Sequence, residues 1–239
     1  MSGGAMYQED MIMGFNIAID GPAGAGKSTI AKRLAKDLDF IYVDTGALYR
    51  ALAYAFWNRG IAPDDEEAIT KACEDVSVAL AYENGVQKVL LNGEDISAYL
   101  RQEAVGNMAS TISAYPAVRA KLLSIQQEIA KQEDVVMDGR DIGTCVLPDA
   151  QCKIYLTASA RTRAERRYKE LIERGEEGDI DVIENDIKER DHRDMTRAIA
   201  PLKQADDAVL VDSTSMTIDE VVDAIKAEVR HCDEDDFSR

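Results

Sequence analysis

One short segment of the chain carries the residue types that bind phosphate groups. Residues 21–28 read GPAGAGKS and fit the pattern G-x-x-x-x-G-K-[ST], whose glycines let successive backbone N–H groups converge on phosphate oxygens. The N-terminus of the helix that follows adds partial positive charge. In this pattern Lys27 reaches the β- and γ-phosphates, and Ser28 offers its hydroxyl to Mg²⁺. The segment predicts a nucleoside triphosphate site and leaves the phosphoryl acceptor open.

A carboxylate that follows a second apolar run could share this site. Asp138 ends the run VVM, and the chain continues Gly139-Arg140-Asp141. Ligands of parallel sheets gather at the carboxyl ends of the strands, so Asp138 is a candidate for holding Mg²⁺ directly or through water, with Arg140 beside it. The alternative is that Asp138 only caps a turn. The phosphate-binding segment favours the functional interpretation, because both would lie at one edge of the sheet.

Further arginines are placed where they could neutralise phosphate charge. Asp44 can cap the helix that follows it, and Arg50 could point from the first turns of that helix toward the same sheet edge. Arg190, Arg193 and Arg197 have the spacing i, i+3, i+7, which predicts one helical face. A solvated, salt-bridged helix is the alternative for that run. Phosphoryl transfer uses such donors to stabilise charge on the transferred group.

The charge balance limits the class of ligand. The chain has 28 Lys and Arg against 45 Asp and Glu, a net charge of −17, so as a whole it repels nucleic acid and anionic membranes. The basic residues are nevertheless concentrated between positions 161 and 203, which indicates a small anionic ligand and no nucleic-acid or membrane partner. These residues are Arg161, Arg163, Arg166, Arg167, Lys169, Arg174, Lys188, Arg190, Arg193, Arg197 and Lys203.

The hydrophobic pattern predicts the elements that position these groups. Five short apolar runs, near residues 15–20, 40–43, 135–137, 153–156 and 208–211, alternate with helical patterns. The alternation predicts an α/β fold with a five-stranded, mostly parallel sheet and helices on both faces. Residues 49–131 interrupt it and contain a hairpin signal, two strand candidates around Glu83-Asn84-Gly85, which we interpret as a small inserted lobe.

Several structural and cellular expectations follow from the remaining sequence. No apolar stretch approaches the ~18 residues that a membrane helix needs, and residues 1–13 lack the features of a signal peptide. The four cysteines have no metal-ligand spacing and are expected as free thiols, which predicts a cytoplasmic protein. Trp57 and the helical methionines are expected in the core, and His192 is expected to be exposed.

Four segments together carry a resemblance to a known family. IDGPAGAGKS, DTGALYR, DGRDIGT and ERDHRDMTRAIAPL, in this order, resemble the bacterial cytidylate kinases, and the similarity extends from about Phe15 to Lys226. The resemblance implies the fold of the P-loop nucleoside monophosphate kinases. It also implies an enzyme of pyrimidine nucleotide metabolism that transfers the γ-phosphoryl group of ATP to CMP or dCMP, giving ADP and CDP or dCDP, with Mg²⁺.

The residue pattern, which gives the leader and the tail, and the resemblance, which gives the parts between them, together predict a domain plan. A flexible leader occupies residues 1–13, and a single kinase domain occupies residues 14–229. Within that domain the core comprises residues 14–48 and 132–229, the insert that binds the monophosphate and contains a small antiparallel sheet comprises about residues 49–131, and a helical lid comprises about residues 160–185. Residues 230–239 form an acidic tail that is expected to be disordered.

The same resemblance assigns roles to individual positions. The catalytic residues would be Lys27, Asp138, Arg140 and Arg197, and the metal ligands Ser28 and Asp138. The ATP-binding residues would be Gly21, Pro22, Ala23, Gly24, Ala25, Gly26, Lys27, Ser28 and Thr29, with the lid residues Arg163, Arg166 and Arg167. The acceptor phosphate would be bound by Thr45, Arg50, Arg140 and Arg197, the cytosine by Ser110, Arg119 and Asp141, and the sugar hydroxyls by Arg190 and Asp194.

Three other interpretations remain open at this point. The chain could be a P-loop kinase with another acceptor, such as a different nucleoside monophosphate, shikimate or dephospho-CoA. It could be a GTP-dependent switch, although no N-K-x-D segment is present, or a P-loop protein without catalysis, although Lys27, Ser28 and Asp138 are intact. The residues do not decide between CMP and dCMP or exclude UMP. A monomer is expected, because the family closes its lobes within one chain.

Overall fold

Two separate sheets are present in the computed structural model, which describes the backbone of residues 14–236 and the side chains of residues 14–233. The predicted leader at residues 1–13 lies outside the described residues. The strands described are β1 (Asn16–Asp20), β2 (Ile41–Asp44), β3 (Val78–Glu83), β4 (Val86–Leu91), β5 (Glu94–Asp95), β6 (Val135–Gly139), β7 (Cys152–Thr157) and β8 (Val209–Asp212). The α-helices described are α1 (Lys27–Leu38), α2 (Thr45–Asn58), α3 (Glu66–Glu74), α4 (Glu103–Ile112), α5 (Pro116–Gln132), α6 (Ala160–Glu173), α7 (Ile180–Thr196) and α8 (Ile218–Asp236).

The larger sheet is parallel and has the strand order β2-β6-β1-β7-β8, which confirms the predicted five-stranded sheet. β1 and β6 are buried along their whole length, because helices cover both faces of a parallel sheet. The register pairs Asp44 with Asp138 and Asp20 with Gly139. The carboxylates that end β1, β2 and β6 therefore lie at one edge.

Apolar side chains attach helices to both faces of this sheet, as predicted. Ile30 and Leu34 of α1 pack with Ile225 of α8 on one face. On the other face, Met137 of β6 packs with Ala130 of α5 and with the π-helical turn at Ile142–Val146. Complete burial of such an aliphatic side chain contributes about 1.5–3 kcal/mol to stability. The packed helices therefore stabilise the sheet on both faces.

The insert between β2 and β6 has an apolar core of its own. Leu48, Leu52 and Phe56 of α2 pack with buried residues of α3, α4 and α5. The predicted hairpin is present: β3 and β4 are joined by Asn84-Gly85, both with positive φ (53° and 74°), as a type I′ turn requires. The sequence analysis did not predict β5, which completes the antiparallel sheet β3-β4-β5, or helix α3. The domain boundaries stay a prediction.

Three local predictions were wrong. Arg197 lies beyond the end of α7 with an extended backbone (φ −60°, ψ 143°), so it does not share a helical face with Arg190 and Arg193. Helix α8 continues to Asp236, so residues 230–236 are helical where disorder was predicted. Trp57 is 46% exposed, because the side of α2 that carries Leu52 and Phe56 is the one that packs on the insert core.

Other expectations about burial are partly met. The helical Met108 is buried as predicted, whereas Met195 is exposed at the end of α7. His192 is exposed, as expected. Across residues 14–236, the helices are too short or too polar for any of them to cross a membrane.

Candidate functional site

A cleft of about 720 Å³ lies at the carboxyl edge of the parallel sheet. The loops after β1, β2 and β6 form its floor, α4 and α5 of the insert form one wall, and α6, α7 and the segment after β8 form the other. Most residues that the sequence analysis singled out border this cleft. They are Ala23, Gly24, Ala25, Gly26, Lys27, Ser28, Thr29, Thr45, Arg50, Ser110, Arg119, Asp138, Arg140, Asp141, Arg166, Arg190, Asp194 and Arg197.

The phosphate-loop backbone has a shape that only small residues permit. Gly21 has φ +148°, and a Cβ there would lie 1.9 Å from the Leu156 carbonyl oxygen of β7. Gly26, with φ +93°, directs the chain into α1. The Lys27 ammonium is buried and donates to the Pro22 carbonyl at 2.9 Å. Burial, and then the Arg140 charge, lower the pKa of Lys27 to about 7, so nearby anionic charge would favour its ammonium form.

Asp138 is the centre of a hydrogen-bond network at the start of α1. The Ser28 hydroxyl donates to Asp138 Oδ2 at 2.9 Å, and the Tyr42 hydroxyl donates to Oδ1 at 2.8 Å. Burial, and then the Asp44 charge, raise the pKa of the Asp138 carboxyl. Thr45 donates to the Asp138 carbonyl at 2.8 Å. The sequence analysis missed Tyr42, whose only signal was a tyrosine within the β2 run.

A second network lies on the insert side of the cleft around Asp141, which is buried. Arg119 of α5 forms an ion pair with Asp141 Oδ2, and Arg197 Nη2 lies 3.4 Å from Oδ1. Both arginines also contact Ser113: Arg119 Nη1 donates to its carbonyl and Arg197 Nη1 to its hydroxyl, each at 3.3 Å. The fold thus brings together Arg119, Asp141 and Arg197, three of the residues predicted to bind the acceptor, while Ser113 was missed.

Between these two networks lies a group of basic side chains. Arg140 Nε donates to Asp194 Oδ2 at 3.0 Å, and Arg50 pairs with Asp44 at 2.9 Å. Burial, and then Arg140, lower the pKa of Arg190. Within the described part of the chain, Arg190 Nε is buried without a hydrogen-bond partner. Such a donor in a cleft favours an oxygen-rich or anionic ligand.

The three predicted lid arginines have different surroundings. Arg163 is buried beneath the phosphate loop: it donates to the Ala23 carbonyl at 2.9 Å and to both carboxylate oxygens of Asp191 at 3.0 and 2.6 Å. Arg166 borders the cleft and donates to the Ser213 carbonyl at 2.8 Å. Arg167 is exposed and pairs with a glutamate one turn on. Gly21, Pro22 and Arg163 therefore support the cleft from behind its surface.

The side chain of Asp20 connects the start of the phosphate loop to the segment that follows Asp141. Its carboxylate accepts hydrogen bonds from the backbone N–H groups of Ile142 and Gly143, both at 2.8 Å. Asp20 directly precedes the phosphate loop, and Ile142 directly follows Asp141. Burial raises the pKa of Asp20 to about 6, although the two hydrogen bonds act to lower it. The sequence signal for this role was a carboxylate at the end of a buried strand.

The end of the cleft beside the phosphate loop is formed by residues that the sequence analysis did not identify. They follow β8 and combine hydroxyl groups with apolar surface. These residues are Ser213, Met216, Thr217, Ile218 and Val221.

Comparisons with known proteins identify the family. Residues 17–231 match the family model for cytidylate kinase. The chain is 51% identical over 210 residues to the cytidylate kinase of Caldicellulosiruptor saccharolyticus, covering 88% of this chain and 93% of that one. It is 50% identical over 215 residues to that of Shouchella clausii (90% and 96%) and 50% identical over 210 residues to that of Listeria monocytogenes (87% and 93%).

Among solved structures, a shikimate kinase from Bacteroides thetaiotaomicron is 13% identical, with a TM-score of 0.46 over 90% of this chain and 98% of that one. A similarity of this size carries no argument about the acceptor. The family model spans residues 17–231, which include every residue that borders the cleft, and the alignments with the first two of these relatives cover 88% and 90% of the chain. The chain therefore belongs to the cytidylate kinase family.

Proposed function

We propose that this chain transfers the γ-phosphoryl group of ATP to CMP or dCMP, releasing ADP and CDP or dCDP. The observation that carries the proposal is that one cleft joins the phosphate loop to the network around Asp141. The loop supplies donors for the triphosphate, and the opposite side supplies charged groups for a nucleoside monophosphate. The curated cytidylate kinases at about half identity support the same reaction.

The chemistry of the Asp141 network suits cytosine. Cytosine presents an amino donor next to ring acceptors, so a carboxylate can accept from the amino group while a guanidinium donates to the ring. Asp141 and Arg119 supply this pair, and Ser110 lies beside them. Uracil would place a carbonyl oxygen where the carboxylate needs a donor. The pair therefore favours CMP over UMP, while Arg190 and Asp194 would contact the sugar hydroxyls.

The reaction needs positioning and charge neutralisation more than covalent chemistry. The attacking oxygen of the acceptor phosphate is already anionic, so no strong general base is required. Arg50, Arg140 and Arg197, with Thr45, would bind this phosphate and offset the repulsion between the two substrates. Lys27 would bind the transferred phosphoryl group, and its charge would be favoured by the ligand that it binds.

The residues also fit a magnesium ion. Ser28 and Asp138 place a hydroxyl and a carboxylate 2.9 Å apart at the phosphate loop, and Mg²⁺ prefers oxygen ligands while keeping several of its waters. When bound there, it would supply positive charge that offsets part of the negative charge of the ATP phosphates. We infer that Ser28 and Asp138 hold it, and that Tyr42 keeps the Asp138 carboxylate oriented.

The lid and the state of assembly complete the proposal. Arg166 would contact the ATP phosphates, and closure of α6 and α7 over the cleft would exclude water and limit hydrolysis of ATP. We infer a monomer, because a single chain supplies all the groups named above. We place its activity in the cytoplasm, where ATP is supplied.

The test is a coupled assay of ADP formation from ATP and Mg²⁺ with CMP, dCMP, UMP, AMP, GMP or shikimate as separate acceptors. We expect strong turnover with CMP and dCMP and little with AMP or shikimate. Preferential turnover of another acceptor would keep the kinase and overturn the role of Ser110, Arg119 and Asp141. ATP binding without any turnover would overturn the enzymatic proposal itself.

A further inference from the structure

The antiparallel sheet of the insert touches the parallel sheet at its open edge. β2 is an edge strand, so the backbone groups on its outer side are not paired with another strand of that sheet. Gln87 of β4 occupies this position: its Oε1 accepts from the Asp44 N–H at 2.8 Å, and its Nε2 lies 3.4 Å from the Asp44 carbonyl. A carboxamide carries the same donor and acceptor as a peptide group, so Gln87 substitutes for one residue of a missing strand.

A second contact lies two residues earlier on the same edge. The Tyr82 hydroxyl of β3 donates to the Tyr42 carbonyl at 3.2 Å. Because alternate residues of a strand direct their backbone groups to the same side, Tyr42 and Asp44 both present backbone hydrogen-bonding groups to the insert. The two contacts differ in what they hold. Tyr82 bonds to the backbone of Tyr42, whereas Gln87 bonds to the backbone of Asp44, whose side chain caps α2 and pairs with Arg50.

Asp44 connects the sheet edge to the acceptor side of the cleft. Its Oδ1 accepts from the Ala47 N–H and caps α2, and its Oδ2 pairs with Arg50 Nη2 at 2.9 Å. Gly46 packs closely against the pair: a Cβ added there would lie 2.9 Å from Arg50 Nη1 and 3.2 Å from Asp44 Oδ1. The direction of the Arg50 guanidinium therefore depends on where the Asp44 backbone is held.

We propose that Gln87 is a positioning residue for the acceptor phosphate, acting through Asp44 on Arg50. This inference rests on the proposed function, since it assigns Arg50 to that phosphate. It gives the antiparallel sheet a role in the reaction. The sheet fixes the direction of the Arg50 guanidinium without contributing a side chain to the cleft. Gln87, Asp44 and Arg50 come from β4, β2 and α2, so a movement of the insert against the core would be transmitted to the site.

The experiment compares Gln87→Met with Tyr82→Phe in steady-state assays. Methionine keeps the length of the side chain and removes both hydrogen bonds, and Tyr82→Phe removes the hydrogen bond from β3 to β2. We expect Gln87→Met to raise the KM for CMP about fivefold, with the KM for ATP unchanged within about twofold. Tyr82→Phe should leave both constants within about twofold, and thermal unfolding checks that each variant is folded.

A double-mutant cycle with Arg50→Ala separates positioning from a general structural effect. If Gln87 acts through Arg50, Gln87→Met should raise the acceptor KM no further in the Arg50→Ala background. An equal rise in both backgrounds, an equal rise for ATP and CMP, or no rise in the single variant would each overturn the proposal. If the wild-type chain prefers another monophosphate, the proposed specificity for cytosine is wrong, but the role of Gln87 can still be tested. The KM for that other acceptor is then measured in place of the KM for CMP.

Discussion

At the scale of single residues, the site is defined by carboxylates that each serve more than one partner. Asp138 accepts from Ser28 and Tyr42, and Asp141 pairs with Arg119 and Arg197. Each buried carboxylate is stabilised by opposite charge or by hydrogen bonds, and each also fixes the direction of the groups that bond to it. The hydrogen bonds and ion pairs that offset the cost of burying these carboxylates therefore also position the functional groups.

Replacement of Asp141 by asparagine tests its proposed role in recognising the cytosine base. Asp141→Asn keeps the shape but loses the anionic acceptor, and its amide can donate to the carbonyl that uracil presents. We expect kcat/KM for CMP to fall by about 10- to 100-fold, in line with the loss of a charge-assisted hydrogen bond, and the CMP-to-UMP ratio to fall with it. Steady-state kinetics with both acceptors measures the ratio. An unchanged ratio would remove Asp141 from base recognition.

The buried carboxyl of Asp20 predicts a pH-dependent stability. Its folded pKa of about 6 lies above the unfolded value of 3.8, so the folded state retains a proton that the unfolded state has released. Its stabilising contribution is complete below pH 3.8 and is lost as the pH rises through 6. The loss between pH 4 and 7 is about 2 kcal/mol.

Urea unfolding of the wild-type chain and of Asp20→Asn at several pH values measures this effect. Asparagine does not titrate, so the free energy of unfolding of the wild type minus that of the variant should fall from pH 4 to pH 7. A constant difference would show that Asp20 ionises with an ordinary pKa. The comparison cancels titrations that the two proteins share.

At the scale of elements, Arg163 joins α6 to two neighbours. It holds the phosphate loop through the Ala23 carbonyl and α7 through Asp191, and both charged side chains are largely buried. Helices α6 and α7 are therefore anchored to the phosphate loop through Arg163. Arg161, by contrast, links α6 and α7 on the exposed side, where water screens the charges.

Removal of Arg163 should cost far more stability than removal of an exposed arginine. Arg163→Ala leaves the Asp191 charge without its partner, so we expect a loss of about 3–5 kcal/mol in the free energy of unfolding. Arg167→Ala, on the exposed side of the same helix, should change it by less than about 0.5 kcal/mol. Denaturant unfolding measures both. Asp191→Asn combined with Arg163→Ala should lose less than the sum of the two single variants, and strict additivity would contradict the buried pair.

At the scale of the whole molecule, an acidic chain encloses a basic cleft. The net charge of −17 belongs to the surface as a whole, whereas Arg50, Arg140, Arg190 and Arg197 converge on one cavity. Two mutually repelling anionic substrates need such a local concentration of positive charge. The parallel sheet provides it, because the carboxyl ends of its strands meet at one edge and the insert closes the opposite side.

The sequence by itself determined the local chemistry and the layered fold. The phosphate loop, the strand-ending carboxylates and the Asn84-Gly85 turn depend on neighbouring residues, so their conformations can be read from short segments. The four segments in order were also enough to indicate the family. The alternation of apolar runs predicted the parallel sheet and its helical layers, because burial on both faces requires such strands.

Only the tertiary structure decided which charged groups face one another. Arg163 and Ala23 lie 140 positions apart, and Gln87 and Asp44 lie 43 apart, so no local pattern could show that Arg163 supports the loop or that the insert contacts β2. Side chains of one type at one helical spacing can line a cleft, pair with a carboxylate or remain in water. The packing of distant elements selects among these, since burial makes each unpaired polar group costly.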